Sequence, residues 1–283
     1  MRLDGKAIAQ KIFGDLKIRV EKLKEKSIIP HLHIITLTTD SASNAYVSQK
    51  KLKGGGIGAK ITVENLDPTT KIEELIGKIE KLNNDNKVHG IIIQRPIPSH
   101  INESLIANSI NPKKDVDGFH PQSKFSPPIA EAVLEILREV HVREGNDLDF
   151  EEWLKSKNIT VVGRGVTAGK PIIKTLEKMR LTPNIVTSKT GNREEILKNS
   201  DIIICAVGKP NIIKKDELKN GVVLIGVGMY RGEDGKFHSD YREDDIKDIA
   251  SLYTPIPGGV GPVNVAMLLS NLLTAAENQF LEK

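Results

Sequence analysis

Tyr46 and Lys50 stand four apart in YVSQK, so on a helix they share one face and point the same way. A phenol and an ammonium held together form a pair that can move protons, although most such pairs are only an exposed helix surface. Two further segments carry partners of the right type: Gln94 ends the apolar run GIIIQRPIP, and Asp115 and Asp117 flank a valine in PKKDVDGFH. Taken singly, Gln94 reads equally as a strand terminator and Asp117 as a turn residue before Gly118. Together they are polar groups at the ends of apolar strands, where parallel α/β proteins gather ligands.

A second kind of chemistry is written in ITVVGRGVTAGKP, where a strand-like run feeds Gly163, Arg164 and Gly165, and Gly169 opens a helix-like stretch. Glycines there allow a tight turn, and amide groups at a helix start attract a pyrophosphate. The spacing G-x-G-x-x-x-G is one residue longer than the usual dinucleotide fingerprint, so its strand-before, helix-after context carries much of the inference. At the end of the following strand, where an NAD site places an acid, the chain reads Thr187, Ser188, Lys189 and Thr190. A hydroxyl and a cation there, with Arg164 nearby in the sequence pattern, suit a 2′-phosphate, so NADP is expected rather than NAD.

A third segment, YTPIPGGVGP from Tyr253 to Pro262, holds three prolines and three glycines in ten positions. Proline fixes φ and glycine admits φ > 0, so the expectation is a stiff, shaped loop, either facing a ligand or serving only as a rigid turn. An apolar helix-like stretch follows and is expected to cross back onto the first half of the chain.

The elements that must position these groups alternate. Ile8, Ile12, Leu16, Val20 and Leu23 have helical spacing within residues 4–26. LHIITLT, AKITVENL and HGIIIQ read as strands, separated by helices over SNAYVSQKKLKGG and KIEELIGKIEKLN, the latter with Thr70 as its expected cap. After the charged stretch HVREGNDLDFEEW a second series runs through ITVVGRG, KPIIKTLEKM, NIVTS, NREEILKNS, DIIICAV and GVVLIGVG. This is an α/β chain of two parallel-sheet units, the second Rossmann-like.

Bulk properties exclude several function classes. The chain has 283 residues, enough to bury cores without staples, and 41 basic against 37 acidic residues leave a net charge of +4, which does not indicate nucleic-acid binding. The KKLK run at 50–53 reads mainly as a solvated helix face. Cys205 is the sole cysteine, so no disulfide framework or Cys-based metal site is expected. No apolar run is long enough to span a bilayer and the first residues lack a signal core, so a cytoplasmic protein without a membrane partner is expected.

YVSQK, GIIIQRPIP, KDVDGFHP, GRGVTAGKP and TPIPGGVGP, with LDGKAIA at the start, occur in the order found in the bifunctional methylenetetrahydrofolate dehydrogenase/methenyltetrahydrofolate cyclohydrolase family, and the resemblance covers nearly the whole chain. It implies an N-terminal α/β catalytic domain (residues 1–122 with 263–283), a Rossmann-like NADP domain (123–262), and a cleft between them. It further implies Lys50 as the essential lysine, Gln94 as its partner, Tyr46 stacked on the folate and Asp117 holding the pterin. Gly163, Arg164, Gly165, Thr187, Ser188 and Lys189, with Gly258, Gly259, Val260 and Gly261, fall at cofactor-binding positions, and Pro262 beside the substrate. The implied reactions are oxidation of methylenetetrahydrofolate with NADP and hydrolysis to 10-formyltetrahydrofolate, in a homodimer serving one-carbon metabolism and purine biosynthesis; no metal is implied.

The chain departs from the family pattern in several places. The segment after KDVDGFHP is shortened, leaving Phe125-Ser126-Pro127, and Arg95 stands where an apolar residue is usual. Gly165, Gly226 and Asn264 replace a frequent Ser, Asp and Thr. These changes leave open a chain that keeps one activity, the cyclohydrolase foremost, or one that binds ligand without turnover.

Overall fold

A computed structural model describes residues 1–38, 40–145 and 147–281. It divides into two compact units, Gln10–Pro128 with Val265–Lys283, and Met1–Ala9 with Ile129–Asn264. These divisions fall a few residues from the 122/123 and 262/263 boundaries expected from sequence. The first nine residues join the second unit because Leu3 N–H donates to Tyr253 O (2.8 Å) and Tyr253 N–H donates to Met1 O (3.0 Å).

In the first unit, helix α1 (Gly5–Glu25) precedes strand β1 (His31–Thr36), α2 (Ser41–Gly56), β2 (Lys60–Asn65), α3 (Ile72–Asn84), β3 (Gly90–Gln94) and α4 (Glu103–Ser109). The strands form a parallel sheet ordered β2-β1-β3. Central β1 and edge strand β3 are buried along nearly their whole length, β3 through the apolar run GIII and β1 with His31, His33 and Thr36 among its apolar residues, as strands of a parallel sheet covered by crossover helices are. Leu75 and Ile79 of α3 are wholly buried against Ile35, Ile91 and Ile93. Thr70 does not cap α3: the residue before the helix is Lys71, which makes no side-chain cap bond, and the Thr70 carbonyl instead faces His100 Nε2 (3.2 Å).

The second unit contains α5 (Pro128–Glu144), α6 (Phe150–Lys155), β4 (Ile159–Val162), α7 (Gly169–Lys178), β5 (Asn184–Val186), α8 (Arg193–Lys198), β6 (Ile202–Cys205) and β7 (Val223–Gly226). A hairpin of β8 (Met229–Arg231) and β9 (Phe237–Ser239), then α9 (Glu243–Ile246) and β10 (Leu252–Tyr253), complete it. The main sheet is parallel with order β10-β7-β6-β4-β5. From β4 the chain adds β5 on one side and then β6 on the other, which makes the β4/β6 ends a topological switch point.

Helix α10 (Val260–Leu281) begins three residues earlier than the Pro/Gly segment suggests: Val260, Gly261 and Pro262 form its first turn, where a missing amide donor costs nothing. Its later part packs on the three-stranded sheet; a Cβ on Gly90 would stand 2.9 Å from Leu272 Cδ1. The expected architecture, two α/β units with the last helix returning to the first, is the observed one.

Candidate active site

Helix α2 carries Tyr46 and Lys50 one turn apart. Lys50 is 7% exposed, and its Nζ donates to Gln94 Oε1 at 2.9 Å. The orientation of that amide is fixed, because Gln94 Nε2 donates to the Arg95 carbonyl (2.9 Å), which also accepts from Ser43 Oγ (3.3 Å). Gln94 can therefore offer Lys50 only its oxygen. Burial lowers the Lys50 pKa below the ordinary lysine value, and the nearby Asp117 charge opposes that shift without cancelling it. One neutral acceptor does not replace the hydration of an ammonium, so the amine can surrender its proton closer to neutrality. Tyr46 is half-buried and its hydroxyl is pushed the other way, further from ionising, by desolvation.

Asp117 sits in a loop held from several sides. Lys114 Nζ donates to Leu82 O (3.0 Å) in the last turn of α3 and to Asp85 O (2.8 Å) just after it, and Ile91 N–H donates to Lys114 O (2.8 Å), tying the loop to β3. Asp115, 1% exposed, accepts from His120 N–H at 2.7 Å. Gly118 has φ +73°, and a Cβ there would meet Phe125 O at 2.8 Å and Pro127 N at 2.9 Å. The shortened Phe125-Ser126-Pro127 segment thus closes directly on the Asp117-Gly118 turn. Asn271 of α10 completes the frame, its Nδ2 donating to Val116 O (2.9 Å) and Ser126 O (3.0 Å). Asn271 went unnoticed in the sequence; an isolated amide within LLSNLLTAA was the available signal.

Arg95 is accommodated by partners of its own. Its guanidinium lies 3.6 Å from the Phe119 ring centroid and its Nε 3.4 Å from Glu103 Oε2. With Ile93, Ile97, Asp115 and Asp117 these residues line a small recess of about 20 Å³.

Burial raises the Asp115 pKa from 3.8 to about 6, more than its backbone hydrogen bonds lower it. A carboxyl whose folded pKa lies above the unfolded one favours the fold below pH ~4, and this contribution is lost as pH rises towards 6. Asp115→Asn keeps an acceptor for His120 N–H without the charge, so it is expected to raise the melting temperature at pH 7–8 and not at pH 4. The difference is of the order of 3 kcal/mol before local relaxation. Thermal melts of both proteins across this range check it.

In the second unit, β4 is followed directly by Gly163, whose φ is +97° and whose N–H donates to Val186 O (2.9 Å). A Cβ there would lie 2.6 Å from Ala206 O, and one on Gly169 would lie 2.2 Å from Gly163 O. Backbone therefore crosses backbone at both positions. Gly165 differs, having nothing within 4 Å of its Cβ position and an exposed surface, so the middle glycine of the motif is not sterically required. Gly165→Ser is expected to change stability by less than about 0.5 kcal/mol, as measured by chemical denaturation. Helix α7 starts at Gly169 with no side-chain cap, leaving its amino end suited to an anion.

After β5 the chain turns tightly. Thr190 N–H donates to Thr187 O (3.1 Å), Thr187 N–H to Thr190 Oγ1 (3.0 Å), and Lys189 N–H approaches Thr187 Oγ1 (3.3 Å). Thr187 Oγ1 thus takes part in the turn, while Ser188, Lys189 and Arg164 are exposed. In the Pro/Gly segment, Gly258 takes φ +104° beside the Lys6 side chain. Gly259 is buried, and a Cβ on it would meet Pro255 O at 2.5 Å; Val260 is also buried, and Gly261 and Pro262 are half-buried. Cys205 is fully buried and its thiol pKa is pushed up by desolvation, so it is a core residue. Among the described residues no His, Cys, Asp or Glu cluster could hold a metal ion, and no helix is long and apolar enough to cross a membrane.

Lys50, Gln94, Tyr46 and Asp117 are therefore gathered around the β3 end of one sheet, and Gly163, Arg164 and Gly165 lie at the β4 end of the other. Two family models match the chain: tetrahydrofolate dehydrogenase/cyclohydrolase, catalytic domain, over residues 3–117, and tetrahydrofolate dehydrogenase/cyclohydrolase, NAD(P)-binding domain, over residues 127–280. The chain is 38% identical over 289 residues to the Bifunctional protein FolD of Lactococcus lactis, covering 99% of this chain and 98% of that protein. The crystal structure of the bifunctional enzyme FolD from Campylobacter jejuni superposes with a TM-score of 0.90 at 34% identity, covering 98% and 99% of the two chains. The Trypanosoma brucei methylenetetrahydrofolate dehydrogenase-cyclohydrolase, complexed with NADP cofactor and inhibitor, gives a TM-score of 0.88 at 29% identity, covering 99% and 98%. With both domain models matched in order and such likeness sustained from end to end, the chain belongs to the tetrahydrofolate dehydrogenase/cyclohydrolase family.

Proposed function

We propose that the protein oxidises methylenetetrahydrofolate with NADP and hydrolyses the resulting methenyl compound to 10-formyltetrahydrofolate. The observation that carries this is the buried Lys50 Nζ, bonded to a neutral amide at 2.9 Å and within the field of Asp117, in a chain matched by both family models.

The unit built on β1–β3 handles the folate. Asp117, as a carboxylate, accepts from the pterin amino and ring N–H groups and so fixes its orientation. Tyr46, half-buried on the same face of α2 as Lys50, offers its ring as a platform for the pterin. In the hydrolytic step water adds to the cationic methenyl carbon; one of its protons passes to the Lys50 amine and on to the ring nitrogen whose bond to that carbon breaks, and the other is released to solvent as the remaining hydroxyl becomes the carbonyl of the formyl group on the second nitrogen. Gln94 holds the lysine to this task through its fixed carbonyl oxygen.

The unit built on β4–β7 handles NADP. The two backbone crossings at Gly163 and Gly169 form a cradle that any Cβ would fill, and the uncapped start of α7 suits a pyrophosphate. NADP supplies the hydride acceptor when bound. Ser188, Lys189 and Arg164 are the groups for the 2′-phosphate, while Gly258, Gly259, Val260 and Gly261 shape the loop on the cofactor-binding unit. The Trypanosoma brucei relative with NADP supports the same choice of cofactor. Family resemblance further supports a homodimer in the cytoplasm that serves purine biosynthesis.

Purified protein given methylenetetrahydrofolate and NADP is expected to form NADPH and 10-formyltetrahydrofolate. Formation of neither product defeats the proposal. Light scattering of the eluting protein reports the dimer.

A further inference from the structure

Asp240 is 0% exposed and follows β9 directly, and its carboxylate accepts from three consecutive backbone N–H groups: Val207 (3.0 Å, to Oδ2), Gly208 (2.6 Å, to Oδ1) and Lys209 (2.8 Å, to Oδ1). Its own carbonyl accepts from Ile212 N–H (2.8 Å) and Ile213 N–H (3.2 Å). One residue thus grips the whole turn that leaves β6. A carboxylate buried without solvent needs such donors, and three charge-assisted bonds make the turn rigid rather than merely occupied.

The surroundings are built to admit this grip. A Cβ on Gly228 would stand 2.1 Å from Asp240 Oδ2 and 2.4 Å from Gly208 N, so only glycine fits there. Gly208 itself takes φ +75°. The β8–β9 hairpin lies outside the main sheet and delivers Asp240 into the gap between the β6 and β7 ends.

The held turn adjoins the nucleotide cradle. Ala206 O is the atom against which Gly163 is shaped, Val207 Cγ2 lies 3.0 Å from the same Cβ position, and Ala206 N–H donates to Val162 O at 2.8 Å. Because the end of β5 takes the adenosine ribose in a fold of this type, the dinucleotide must extend across the switch point to β6, and the turn after β6 receives its nicotinamide half. With Val207, Gly208 and Lys209 N–H bonded to Asp240, the position of this turn is set by the protein before any ligand arrives.

We propose that Asp240 is a positioning residue for hydride transfer: by locking Val207–Lys209 it fixes where the nicotinamide end of the cofactor rests. The inference builds on the NADP-dependent reading above. Misplacing a reacting group by about an ångström costs on the order of 10²-fold in rate, whereas most of the adenosine-side affinity should survive.

Asp240→Asn retains the side-chain size but replaces one acceptor by a donor facing N–H groups. In steady-state assays the dehydrogenase kcat is expected to fall at least about tenfold with less than about a threefold rise in KM for NADP. Hydrolysis of methenyltetrahydrofolate, measured without nucleotide, is expected to stay within about twofold of wild type. A parallel fall in both activities, or an unchanged dehydrogenase kcat, overturns the proposal. Wild-type protein that makes no NADPH refutes the parent reading instead. Should the variant not fold, amide exchange in the wild type decides: Gly208 and Lys209 N–H are expected to be strongly protected before NADP is added, and rapid exchange in the free protein overturns the proposal.

Discussion

Replacing Lys50 with Met is expected to lower methenyltetrahydrofolate hydrolysis on the order of 10³-fold while leaving NADP affinity unchanged. Met has nearly the same length, fills the same buried space and cannot take a proton. Two effects on stability oppose one another: the cost of burying an ammonium disappears, and Gln94 Oε1 loses its donor, a loss of about 1–3 kcal/mol. The melting temperature should therefore move little, which separates lost chemistry from lost fold. On the proposed mechanism the working form of the lysine is the free amine. Its folded pKa lies below the ordinary value, so hydrolysis should climb as pH rises through that lowered pKa, and the climb should vanish in the Met variant. A variant that hydrolyses normally would remove Lys50 from the mechanism.

Gly163→Ala should produce the opposite pattern. A φ of +97° strains any residue with a Cβ, and the added carbon would lie 2.6 Å from the Ala206 carbonyl, whose planar peptide is held by Val207 N–H donating to Asp240 Oδ2. The end of β6 must shift, and with it the turn held by Asp240. We expect a destabilisation of about 3 kcal/mol and a loss of NADP affinity of about 100-fold or more, with hydrolysis of methenyltetrahydrofolate retained at temperatures below the melt. Nucleotide titration by fluorescence checks this, and wild-type affinity would show that the crossing at Gly163 does not shape the site. Together the two variants separate the hydrolytic chemistry of one unit from the nucleotide binding of the other.

Strands and the major helices were legible because their periodicities are strong and uninterrupted. HGIIIQ and DIIICAV are continuous apolar runs bounded by polar residues, and α1 shows apolar positions three and four apart. Helix α5 was hidden by the prolines at 127 and 128, which resemble loop punctuation, although Val133, Ile136, Leu137 and Val140 follow the helical pattern. Pro128 is simply its first residue, where proline is tolerated. The same rule explains why Pro262 lies inside α10 rather than in the loop before it.

By itself the sequence determined the residue types of the chemistry and their order: an amine one helical turn from a phenol, an amide and an acid at strand ends, and a glycine turn between strand and helix. Those features are local, and local spacing is what a one-dimensional pattern records. Only the tertiary structure decided that Gln94 turns its oxygen to Lys50, that Gly163 and Gly169 are sterically required where Gly165 is not, and that Asp240, more than thirty positions along the chain, grips the turn after β6. Each of these depends on contacts between distant segments whose distances and burial no spacing encodes, and it is burial that lowers the pKa of Lys50 and makes Asp240 take its partners from the backbone.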